Sequence, residues 1–130
     1  MKFSIVIQSS PFTSQSSSTA LRFARTLITE GHELFRVFFY SDAVLTANAL
    51  ISPPQDEQSL PAEWQALASE HNLDLVVCIA AAVKRGVLDT NEQKRYEKNA
   101  QNLENRFELS GLGQLAEAIA VSDRVVTFGG

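Results

Sequence analysis

Cys78 is the only cysteine in the chain. It stands in the stretch DLVVCIAAAVKRGV, Asp74 to Val87, where an apolar β-branched run gives way to a helix-like one. A thiolate is the nucleophilic form of cysteine, and a free thiol near pKa 8.5 is only a few per cent ionised at neutral pH. A cysteine just ahead of a helix meets backbone N–H groups without intrahelical partners and the positive end of the helix dipole. Both favour the thiolate. Lys84 and Arg85 follow about two turns later and add positive potential. The competing reading is a small hydrophobe at the edge of the core, since unpaired cysteines are among the most buried residues. Sequence position leaves both readings open.

Other chemistry is thinly represented. No histidine lies near Cys78 in sequence, so a Cys–His pair has no support from spacing. His32 follows the helix-ending Gly31, and His71 sits near a helix C-terminus, an ordinary place for an imidazole. Two distant histidines and one cysteine do not make a zinc pattern. The hydroxyl-rich run SSPFTSQSSST, Ser9 to Thr19, could hold a phosphate ahead of a helix, but serine and threonine more often cap helices and make turns. Neither glycine-rich nucleotide motif is present, so no cofactor and no metal are expected. SGLG, Ser110 to Gly113, could open an anion-binding helix, but such a run is more often a tight strand-to-helix turn. Asp56, Glu57, Glu63 and Glu92 read as loop or polar-face carboxylates with no acid/base pair among them. Asn91 to Arg106, with its mixed charges, reads as a solvated helix face.

The elements that must position Cys78 follow from periodicity. Lys2 to Ile7 is a buried strand. Ala20, Phe23, Ala24, Leu27 and Ile28 share one helix face, and Gly31 ends that helix in a left-handed conformation. Leu34 to Tyr40 is a second strand, and Ala43 to Leu50 a short helix. Ser52 to Gln58 is a surface loop, because its two prolines block helix and central strand. Pro61 starts a helix on which Trp64, Leu67, Ala68 and His71 share a face. Leu73 to Cys78 is a third strand. Thr90 and Gln93 form a capping box with Asp89 beside it, opening a helix that aligns Tyr96, Ala100 and Leu103. Arg106 to Gly113 returns to the core. Leu112, Leu115, Ala116 and Ile119 make a last amphipathic helix, and Arg124 to Phe128 a terminal strand. This alternation predicts an α/β fold with a mostly parallel five-stranded sheet and helices on both faces, in one domain over residues 1–130. In such sheets chemistry collects at the carboxyl ends of the strands, where Cys78 falls.

Composition sets the frame. With 130 residues, 45% hydrophobic and 20% charged, the chain has the make-up of one soluble globular domain. One cysteine excludes an internal disulfide and suits a reducing compartment. The N-terminal apolar run is too short for a signal peptide, and no segment reaches the roughly 18 apolar residues of a membrane span. The expected location is the cytoplasm. A net charge of −4 argues against direct, phosphate-driven nucleic-acid binding.

VVCIAAAVKRGV and LSGLGQLAEAIAVSDRVVTF, with FARTLITEGHELFRVFFY upstream, resemble the DsrE/DsrF-like family along essentially the whole chain. The resemblance implies a DsrE-like fold and a sulfurtransferase activity. The family's sulfur-accepting cysteine falls on Cys78, which would carry sulfane sulfur as a persulfide. It also implies partners: TusB-like and TusC-like subunits in a heterohexamer, a TusA-like sulfur donor and a TusE-like acceptor. The sulfur would end as the 2-thio group of a tRNA wobble uridine, with no direct tRNA binding and no membrane. Relatives of the same fold serve sulfur oxidation, and some lack the cysteine and serve structure. In the loop after the first strand, Ser10 and Thr13 stand where the family carries glycines, while Pro11, Phe12 and Gln15 keep its pattern.

Overall fold

The runs richest in β-branched and aromatic residues form the strands, and these lie side by side with every pair parallel. In the computed structural model, which describes residues 1–129, the strands are β1 (Lys2–Ile7), β2 (Glu33–Phe39), β3 (Leu75–Cys78), β4 (Phe107–Ser110) and β5 (Arg124–Phe128), in the order β4-β3-β2-β1-β5. The helices are α1 (Ser16–Thr29), α2 (Leu60–His71), α3 (Ile79–Lys84), α4 (Thr90–Arg95) and α5 (Leu112–Val121), with a 3₁₀ segment at Ser41–Ala47. A parallel pair requires a crossover connection, and the long segments between strands supply these. β1, β2 and β3 are buried on both faces and read as nearly continuous apolar runs, as central parallel strands do.

Alternation along the strands sorts the two faces. On one face Phe39 meets Trp64 of α2 edge-on at 5.7 Å and Phe107 at 5.4 Å, and Phe23 of α1 lies against Phe3 and Phe128. On the other face α5 is fastened by polar contacts. Arg36 of β2 donates to the Gln114 carbonyl and to Glu117, both at 2.8 Å, and to Asp74 at 2.7 Å. Ser4 and Ser122 share a hydroxyl hydrogen bond at 2.8 Å. Burial alone would lower the Arg36 pKa, but the hydrogen bonds and charges of Asp74 and Glu117 outweigh it and hold the guanidinium above its usual range.

The expected helix over Ala43 to Leu50 is the 3₁₀ segment Ser41–Ala47, and three expectations about α4 and α5 need correction. The capping residue of α4 is Asp89, whose carboxylate accepts from the Glu92 N–H, and not Thr90. That helix also stops at Arg95. Glu97 takes a left-handed φ of 54°, the Lys98 N–H returns to the Gln93 carbonyl, and Glu97 N–H to Lys94, a Schellman ending that leaves Ala100 and Leu103 off the helix. Leu103 instead forms an antiparallel bridge with Asn48 and packs on the core from there. On α5 the residue fully buried is Ala118, while Leu112 and Ile119 are 53% and 56% exposed. The apolar positions of α5 therefore exceed what one side of the sheet can cover. Gly31 does end α1 with a left-handed φ of 85°.

Candidate functional site

The chain passes from β3 into α3 with no intervening loop. Cys78 is both the last residue of the strand and the N-cap of the helix, with extended backbone angles of −60° and 117°. Its side chain makes no capping hydrogen bond. The first-turn amides of α3 begin at this residue and lack intrahelical acceptors. Cys78 is 3% exposed and belongs to the core, yet it also forms part of the wall of an open cleft of about 390 Å³. Core filling and access to a cleft therefore coexist at one residue.

The cleft opens at the carboxyl edge of the sheet and draws on three strand ends. Tyr40 and Ser41 follow β2, Cys78 ends β3, and Gly111 and Leu112 follow β4. Strand register explains the meeting: Cys78 stands opposite Ser110 in the β3–β4 pair. Ser41 holds a left-handed φ of 52°, uncommon for a non-glycine residue, and turns the chain off the sheet beside the cysteine. Lys84 and Arg85, both anticipated, line the cleft. They differ in state. Arg85 donates from Nε to Asp42 at 3.0 Å and from Nη1 to the Ala81 carbonyl at 3.2 Å. Lys84 is exposed and has no ion-pair partner among the described residues.

The other candidates lie elsewhere. His32 contacts the N-terminal amine at 3.2 Å, and His71 closes α2 beside Glu70. Both precede strands and so sit at the sheet edge opposite Cys78. No group of three metal-ligating side chains gathers among the described residues. The hydroxyl-rich loop is tied internally, Ser17 to Ser9 and the Phe12 amide to Ser10, and Phe12 borders a separate cleft with Leu50 and Pro53. Neither Ser10 nor Thr13 takes a positive φ, so glycine is not needed at either place. Glu92 is a correction: it is 4% exposed, packed beside Arg95 at 3.4 Å, and not on a polar face. Tyr40 and Ser41 were not anticipated at the site; Gly111 and Leu112 were visible in sequence only as part of the SGLG turn.

The DsrE/DsrF-like family profile covers residues 1–128. The chain belongs to the DsrE/DsrF-like family. Among its relatives in that family, the chain is 46% identical over 129 residues to a provisionally named sulfurtransferase DsrE of Allochromatium vinosum, covering 99% of both chains. It is also 46% identical over 128 residues to the sulfurtransferase TusD of Salmonella dublin, covering 98% of this chain and 100% of the relative. The crystal structure of the ychN protein from E. coli shares the fold, with a TM-score of 0.78 at 23% identity over 98% of this chain and 99% of that one. No helix is long and apolar enough to cross a membrane among the described residues.

Proposed function

We propose that this chain is a TusD-type sulfurtransferase subunit and that Cys78 carries sulfur as a persulfide. The observation that supports this most is the place of Cys78, sheltered yet bordering an open cleft at the end of β3. The Cys78 thiolate attacks the terminal sulfur of a donor persulfide. A new S–S bond forms at Cys78, the donor S–S bond breaks, and the donor cysteine leaves as a thiolate. Sulfur's oxidation level is conserved overall, so no cofactor or metal is called for. Shelter slows loss of the labile sulfur to soluble thiols and oxidants.

The donor in this reading is a TusA-like carrier and the acceptor a TusE-like protein, working in the cytoplasm toward 2-thiolation of the tRNA wobble uridine. The chain assembles with TusB-like and TusC-like subunits in a heterohexamer and does not itself bind tRNA. The exposed apolar side chains of α5 fit a subunit that is covered in an assembly. Sulfur uptake by wild type and by Cys78→Ser, in the presence of the partner subunits, tests the reading. A Cys78→Ser chain that assembles but takes up no sulfur supports it; equal uptake by the two overturns it.

A second reading has a specific observation behind it. The DsrE and TusD relatives are equally similar, at 46% identity each. In the second reading the same persulfide serves sulfur oxidation. Restoring 2-thiouridine in tRNA of a cell lacking its own TusD separates the two: restoration favours the relay to tRNA, and failure with intact sulfur uptake favours oxidation.

A further inference from the structure

Arg85 lines the Cys78 cleft, and it pairs with Asp42, the neighbour of Ser41 in the cleft wall. Arg85 caps the C-terminus of α3, the helix that starts at the cysteine. Asp42 lies in the first turn of the 3₁₀ segment and directly follows Ser41, the left-handed residue that lines the cleft. The guanidinium uses two of its donors in different directions. Nε reaches across to the Asp42 carboxylate at 3.0 Å, and Nη1 turns back onto the Ala81 carbonyl in its own helix at 3.2 Å. The planar fork fixes both bonds in one geometry, which a lysine ammonium on a flexible stem does not reproduce.

The stability gained this way is small, because the Asp42 side chain is mostly in solvent, where the attraction is screened. What the pair fixes is distance. It joins the β2 corner, with Tyr40 and Ser41, to the helix whose N-cap is the nucleophile. Its charge is also compensated by Asp42, whereas Lys84 keeps its own.

We infer that the Arg85–Asp42 pair is a positioning clamp that sets the width of the Cys78 cleft for the incoming persulfide, and that Arg85 does not act as a free cation on the sulfur. This rests on the persulfide reading of Cys78. Neutralising either residue opens the same clamp, although the two changes shift net charge in opposite directions. A direct electrostatic role would slow transfer in Arg85→Gln and speed it in Asp42→Asn.

The test is the rate of sulfur uptake from a persulfidated donor protein by the full chain with its partner subunits. The forms compared are wild type, Asp42→Asn, Arg85→Gln, Arg85→Lys and the Asp42→Asn/Arg85→Gln double variant. Thermal unfolding and alkylation by iodoacetamide serve as controls for fold and thiol. The clamp predicts a loss of up to roughly fivefold, the most that an ion pair in contact with solvent can contribute, in both single neutral variants and in Arg85→Lys. The double variant is no slower than either single, and unfolding midpoints stay within a few degrees. Opposite effects of the two neutral variants, full activity in Arg85→Lys, or wild-type uptake in all would overturn the clamp. Absence of uptake in wild type would instead remove the persulfide reading itself.

Discussion

Lys84 and Arg85 line the same cleft as Cys78 but differ in what they can do there. Arg85 is held by Asp42, so Lys84 is the cation available to a thiolate or to an anionic persulfide in the cleft. Replacing Lys84 with Gln is expected to slow sulfur uptake about fivefold, the equivalent of about 1 kcal/mol for charges at a wet surface. Uptake rates at constant pH and ionic strength check this; an unchanged rate assigns Lys84 to the solvated surface. The place of Cys78 at a strand-to-helix junction was legible in the sequence because a lone sulfur fell where strand-like residues met helix-like ones. The meeting of Tyr40, Ser41 and Leu112 at one cleft was not, because only strand register brings the ends of β2, β3 and β4 together. No local periodicity carries that information.

Arg36 shows how one side chain fixes whole elements. It is 7% exposed and joins β2 to Asp74 at the entrance of β3 and to Gln114 and Glu117 of α5. Arg36→Ala is expected to cost roughly 2 kcal/mol, below the figure for a fully buried pair because both carboxylates keep solvent contact. Urea unfolding measures it. The Arg36 pKa lies above its usual value, so its contribution is complete below that range and disappears only as strong alkali removes the proton. Exchanging Arg36 should therefore lower stability equally at neutral and mildly alkaline pH. Asp89→Ala, which removes the α4 cap, should cost about 1 kcal/mol by the same method. The limits of Lys2–Ile7 and Arg124–Phe128 were readable because parallel strands are written as dense apolar runs, whereas β3 begins at Leu75 rather than Leu73 and β2 ends at Phe39 rather than Tyr40. The end of α4 was not readable, since a glutamate at a left-handed position gives no glycine signal.

Across the whole molecule, the sheet is covered unequally. α1 and α2 bury their apolar residues, whereas α5 leaves Leu112, Ile119 and Val121 in solvent. The sequence pattern on α5 was real, but periodicity cannot distinguish a face that meets its own sheet from one that meets another subunit. Ile119→Glu is expected to leave the stability of the chain within about 0.5 kcal/mol, as for a surface site, and to weaken assembly with TusB-like and TusC-like subunits. Light scattering on the purified mixture reads the outcome. Unaltered assembly would place the interface elsewhere.

Intact-protein mass spectrometry after incubation with a persulfidated TusA-like donor tests the central claim most directly. Wild type with its partner subunits should gain the mass of about one sulfur atom, removable by reductant, and Cys78→Ser should gain none while remaining folded and assembled. No gain in wild type, or an equal gain in the variant, would return Cys78 to the core as filling and contradict the account.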